Sequence, residues 1–93
     1  SPQEFYQQGT VALKDGQYNK AVKLFIRCVQ ADKNFGRCYR AMGIAYARKG
    51  DGAKAFRYYK KYLQVNPNAS DATQVQALLK SYEENERLPR QRN

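Results

Sequence analysis

The sequence predicts an all-α protein, a short α-solenoid of two stacked antiparallel helical hairpins closed by a fifth, capping helix. Three observations carry this. Sliding the chain against itself by 34 residues aligns Gly9 with Gly43, Gly16 with Gly50, Lys20 with Lys54, Ala21 with Ala55, Gln30 with Gln64 and Asn34 with Asn68. Similar residues fill the gaps: Phe5 with Tyr39, Lys14 with Arg48, Lys23 with Arg57, Phe25 with Tyr59 and Val29 with Leu63. Within each copy apolar residues recur three and four apart, the spacing of one helical face. A glycine-containing break divides each copy, at Lys14-Asp15-Gly16-Gln17 and at Lys49-Gly50-Asp51-Gly52.

The elements follow in order. The first copy spans residues 2–35. It opens with Ser1-Pro2-Gln3-Glu4, where a hydroxyl caps the helix, proline takes the first helical position and a carboxylate reaches back to the cap. Gly16 supplies the left-handed residue that ends this helix. Tyr18, Ala21, Val22, Phe25, Cys28 and Val29 mark the apolar stripe of the second helix, and residues 32–36 form a polar connector. The second copy, residues 36–69, starts near Arg37, breaks at Gly50 and continues through Ala55, Phe56, Tyr59, Tyr62 and Leu63 until Asn66-Pro67-Asn68 stops it. A third copy has faded, yet Ala72, Val75, Leu78, Leu79 and Tyr82 keep helical spacing behind the cap residues Asn68 and Ser70. Residues 70–86 are therefore read as a lid on the open end of the stack, because an inner repeat exposes an apolar face. Residues 87–93 have no periodicity and are expected to fray. Two repeats fall below the usual minimum of about three for a self-standing array, so the lid or a partner must supply the missing burial.

The period, the small residues Gly9/Gly43 and Ala21/Ala55, the aromatics Phe5/Tyr39, Tyr18, Tyr46 and Phe25/Tyr59, and Pro67 resemble the tetratricopeptide repeat over residues 2–69. The glycines and alanines let the helices of a hairpin approach closely while the rings fill the space beside them. Lys33 stands where the family has proline, and Ala12 and Gly52 stand where it has an aromatic. The resemblance implies a non-enzymatic scaffold that holds a peptide or partner segment in a concave groove. It implies further that this groove is lined by Gln3, Tyr6, Thr10, Leu13 and Lys14, then Arg37, Arg40, Ile44, Ala47 and Arg48, with Gln74 and Leu78 from the last helix and Asn34 and Phe35 at the rim. The family's chaperone-tail clamp of Lys and Asn residues maps onto Tyr6, Thr10, Ala41, Asp71 and Val75, none of which is Lys, Arg or Asn, and Asp71 would repel such a ligand. The second copy also resembles the terminal repeats of bacterial multidomain proteins, some of them serine/threonine kinases, so the chain is expected to be a signalling module or a segment of a larger protein.

Charge narrows the partner. The chain has 93 residues and a net charge of +9, with 17 Lys and Arg against 8 Asp and Glu. Residues 36–62 hold Arg37, Arg40, Arg48, Lys49, Lys54, Arg57, Lys60 and Lys61 against the single acid Asp51. Arg37, Arg40 and Arg48 fall near whole helical turns from one another, on one face, where aligned guanidiniums bind carboxylates bidentately beside Tyr6 and Ile44. The favoured partner is therefore an acidic protein or peptide, and the candidate binding residues are Tyr6, Thr10, Lys14, Arg37, Arg40, Ile44 and Arg48. Set against this is the reading that basic residues merely solvate an exposed helix. Self-assembly into a homo-oligomer is the alternative function. Nucleic-acid binding through Lys54, Arg57, Lys60 and Lys61 beside Tyr58, Tyr59 and Tyr62 ranks third, because Tyr59 and Tyr62 coincide with packing positions of the first copy.

Chemistry is poorly represented. There is no His and no Trp, which removes the commonest proton shuttle and metal ligand. No phosphate-binding glycine loop or Ca²⁺-loop spacing occurs, and Glu83, Glu84 and Glu86 beside Arg87 read as a solvated helix end. No catalytic site, metal or other cofactor is expected. No apolar stretch approaches the ~20 residues of a membrane span. Cys28 and Cys38 read as small buried hydrophobes in a reducing, cytoplasmic setting, with a disulfide between neighbouring helices as the minor alternative.

Overall fold

The computed structural model describes residues 1–85. It contains five helices among them and no strand: α1 (Pro2–Lys14), α2 (Tyr18–Ala31), α3 (Gly36–Arg48), α4 (Gly52–Val65) and α5 (Ala72–Asn85). The first two and the next two pair as hairpins, α2 packs on α3, α4 packs on α5, and α1 touches α3. The expected lid is thus present as α5; Glu86, Arg87 and the tail at 87–93 lie outside the described residues.

Local chemistry sets the helix ends. The Glu4 amide donates to Ser1 Oγ at 3.3 Å while the Glu4 carboxylate accepts from the Ser1 amine, a reciprocal cap. That hydroxyl contact, with the terminal ammonium, holds the Glu4 carboxyl below the usual range. At the far end of α1 the Gly16 and Gln17 amides donate to the Leu13 and Ala12 carbonyls, and Gly16 takes φ 75°. After α3 the Gly50 and Asp51 amides bond Ala47 and Tyr46 in the same pattern, with Gly50 at φ 80°. Both breaks are therefore Schellman turns, which explains why each copy needs glycine there. Asp51 then caps α4, its carboxylate accepting from the Lys54 amide at 3.1 Å.

Packing follows the repeat. A Cβ built on Gly43 would lie 2.9 Å from the Tyr59 ring, and one on Gly9 would collide with Phe25, so each glycine seats the aromatic of its partner helix. Phe25, Met42, Leu79, Cys28 and Cys38 are fully buried, and α5 closes the stack with Val75 and Leu79. Tyr59 and Tyr62 belong to this core, as their packing positions imply.

The cysteines require a correction. They are buried as expected, but they are not free thiols: Cys28 in the last turns of α2 and Cys38 in the first turn of α3 form a disulfide with Cα atoms 6.4 Å apart. The connector at 32–36 reverses the chain and points both side chains into the seam between α2 and α3 at a bondable distance. The staple therefore crosses the junction between the two hairpins, and the argument for a reducing compartment loses its premise.

Candidate functional site

The face made by α1, α3 and the head of α5 holds the residues singled out by sequence. Tyr6 is half-buried on α1, its ring 6.3 Å from Phe25 and 6.0 Å from Phe35. Arg37, exposed in the first turn of α3, places its guanidinium carbon 5.5 Å from the Tyr6 ring centre and 5.4 Å from that of Phe35. Two neighbouring rings of the first repeat thus support one guanidinium of the second, orienting it while its edge donors remain at the surface. Arg37 also lines a cleft of about 370 Å³ between the connectors, together with Asp32, Asn34, Phe35, Tyr62, Asn66 and Ser70.

The other predicted residues separate by role. Thr10 turns its hydroxyl back onto its own helix, donating to the Tyr6 carbonyl at 2.8 Å. Ile44 is half-buried against the core. Lys14 and Arg48 are exposed in the last turns of α1 and α3, where a cation suits the negative helix end. Burial pushes the Tyr59 hydroxyl up, a rise that the Arg40 and Arg48 charges oppose.

Arg40 does not stand with Arg37 and Arg48 as a third open guanidinium. Its Nε donates to Asp71 Oδ2 at 2.7 Å, and the Tyr62 hydroxyl donates to the other oxygen, Oδ1, at 2.6 Å. Asp71 immediately precedes α5, so one carboxylate ties α3 and α4 to the lid. The Tyr62 bond, reinforced by Arg40, holds the Asp71 carboxyl below its ordinary value; the same contact raises Arg40, and burial followed by Asp71 raises Tyr62. Sequence reasoning saw Asp71 only as a repellent for an acidic ligand. The available signal was Tyr62 in the place of Cys28: a longer side chain with a donor at its tip, next to a lid whose first residues are polar.

Models of the tetratricopeptide repeat match residues 5–35 and 36–69. The chain belongs to the tetratricopeptide repeat family. The solution structure of a tetratricopeptide repeat domain protein from Salinibacter ruber superposes with a TM-score of 0.80 at 21% identity, covering 99% of this chain and 96% of that one. Photosystem I assembly protein Ycf3 of Acaryochloris marina (strain MBIC 11017) is 33% identical over 72 residues, 74% of this chain and 43% of that protein. Cellulose synthase operon protein C of Escherichia coli (strain K12) is 33% identical over 73 residues, 78% of this chain and 6% of its length. The chain therefore spans less than half of each of these curated relatives. Tetratricopeptide repeats generally mediate protein–protein interaction, typically without catalysis. In this tetratricopeptide pair Arg37 rests against Tyr6 and Phe35, and Asp71 links Arg40 and Tyr62. No helix among the described residues is long and apolar enough to cross a membrane.

Proposed function

We propose that this repeat pair is a non-enzymatic docking module whose α1–α3 face takes an acidic segment of a partner protein. One observation carries the reading: the exposed Arg37 guanidinium rests against the adjacent Tyr6 and Phe35 rings beside an open cleft, which leaves its edge donors free to meet a carboxylate. Arg48 and Lys14 add charge further along the face, Tyr6 and Ile44 add apolar contact, and Arg40 serves the fold by holding α5. Pre-orientation matters because ordering a flexible arginine on binding costs about 0.5–1.5 kcal/mol. The disulfide fits a chain at work in an oxidising compartment. The test is fluorescence anisotropy with a labelled glutamate-rich peptide. Arg37→Ala with Arg48→Ala should weaken binding at least about tenfold while circular dichroism is unchanged; unaltered affinity defeats the reading.

A second reading, stacking on a further repeat or on another copy, is favoured by the outer face of α1. Gln8 is exposed and Val11 is 61% exposed, whereas their counterparts one repeat later, Met42 and Ala45, are fully buried beneath the first hairpin. Val11 lines a cleft of about 370 Å³ with Gln8, Ala12, Lys20 and Leu24. Sedimentation as a strict monomer over a wide concentration range counts against self-association.

A further inference from the structure

The outer helices of both hairpins carry an unused charge pattern. Neither α2 nor α4 contains a single Asp or Glu. Their cations coincide on the 34-residue shift: Lys20 with Lys54, Lys23 with Arg57 and Arg27 with Lys61. Arg27 lies 5.9 Å from the Phe5 ring, and Lys61 lies 5.9 Å from the equivalent Tyr39 ring. The two faces are therefore near-copies in charge, and differences between them isolate what is special about α4. There Ile26 is replaced by Lys60 and Leu24 by Tyr58. The α4 face holds a cleft of about 550 Å³ whose lining is mainly apolar, floored by Tyr39, Phe56 and Tyr58 and rimmed by cations.

We infer that this outer cleft, lined by Tyr39, Phe56, Arg57, Tyr58, Lys60 and Lys61, is a second docking site. Its occupant is an acidic protein segment that inserts an apolar side chain. Charge selects the acid: three cations ring the cleft and no carboxylate lines it among the described residues; Asp32 acts on Tyr39 at its edge, and Asp51 is engaged by the Lys54 amide. The apolar floor selects a peptide over a fully hydrated polyanion, because burying an apolar side chain there adds about 25 cal/mol per Å². The rings argue against base stacking. Tyr46 stacks on Tyr58 at 5.5 Å and takes Lys49 and Lys54 at 5.5 and 5.4 Å, so these two rings already have partners from this chain, whereas Lys60, 5.9 Å from Phe56, and Lys61, beside Tyr39, border the apolar floor. These cation–π contacts hold the ammonium groups at the rim.

The experiment uses the Arg37→Ala/Arg48→Ala background, which removes the inner face from the readout. A fluorescein-labelled peptide of alternating Glu and Leu is titrated by anisotropy, with a labelled oligo-dT run in parallel. Lys60→Glu with Lys61→Glu should weaken the peptide at least about tenfold, whereas Lys20→Glu with Lys23→Glu, the same change of net charge on the twin face, should cost less than about threefold. Phe56→Ala, which alters no charge, should also weaken the peptide. Equal losses from the two charge reversals overturn the proposal in favour of diffuse attraction. Indifference to Phe56→Ala overturns the apolar anchor, and tighter binding of oligo-dT with the same lysine dependence overturns it in favour of nucleic acid.

Discussion

Reducing the Cys28–Cys38 disulfide should destabilise the repeat pair severely without changing its helix content. The bond closes a loop with a sequence separation of 10. Cross-linking a loop of about ten residues removes roughly 9 cal/mol/K of entropy from the unfolded chain, or about 2.7 kcal/mol at 25 °C. The native side offers little compensation on reduction, because both sulfurs are fully buried and each helix keeps its own backbone bonds. In a domain of this size 1 kcal/mol moves the melting temperature by about 4–8 °C, so reduction should lower it by about 10–20 °C. Thermal melts followed at 222 nm, with and without a phosphine reductant, measure this, and mass spectrometry after alkylation counts free thiols. The Cys28→Ala/Cys38→Ala variant should melt near the reduced protein and ignore the reductant. Two alkylated cysteines in the untreated chain, or a reductant shift below about 3 °C, would refute the reasoning.

Gly43→Ala should cost about 1–3 kcal/mol in a denaturant titration, because its Cβ would stand 2.9 Å from the buried Tyr59 ring. Gly16→Ala meets open space and should cost only the left-handed backbone, about 1 kcal/mol. Asp71 has a folded-state pKa below its unfolded value, so its stabilisation is complete above about pH 4 and is lost as the pH falls through the lowered folded value. Between pH 5 and pH 2, measured by urea midpoint, Asp71→Asn should therefore lose less stability than the parent chain, and an identical slope would remove the latch from the account.

The fold was legible because each of its determinants is local or periodic. Gly16 and Gly50 announce turns through backbone conformation alone, Ser1 and Glu4 announce a helix start, and Gly9/Phe25 repeats as Gly43/Tyr59 because the same close approach recurs. Even the lid was visible through Val75 and Leu79, although its repeat signature had decayed. The site was legible only in part. Helical spacing put Arg37, Arg40 and Arg48 on one face, but it carries no information on what reaches that face from elsewhere in the chain. Asp71 lies 31 residues beyond Arg40, and its capture depends on how the lid enters the stack. Likewise the ring support of Arg37 needs Tyr6, 31 residues earlier, and Phe35 to meet it across a repeat boundary. The disulfide ranked as the minor alternative for a compositional reason: two cysteines without a spacing motif read as core residues, and the path of the connector decides that they bond.

These non-periodic contacts share a location that explains why they exist. In a linear array each unit is stabilised by its neighbours, so an array of two hairpins has few interfaces to sum. Here the α2–α3 junction carries the disulfide, and the junction of α3 and α4 with α5 carries the Arg40–Asp71–Tyr62 latch. Each boundary between successive units thus has a polar or covalent clamp besides apolar burial, and the Lys49 ammonium adds a 2.6 Å bond to Asn19 Oδ1 across the first. The clamps also divide the arginines of α3 between two tasks. Arg40 sits opposite the lid and is drawn into it, while Arg37 sits at the boundary that the disulfide spans and is supported by two adjacent rings. The covalent staple joins α2 to α3 one residue from Arg37, and so restrains the seam across which Arg37 meets Tyr6, the contact on which the proposed docking face rests. Loss of the staple should loosen that guanidinium before it unfolds any helix, which makes redox state a variable of binding as well as of stability.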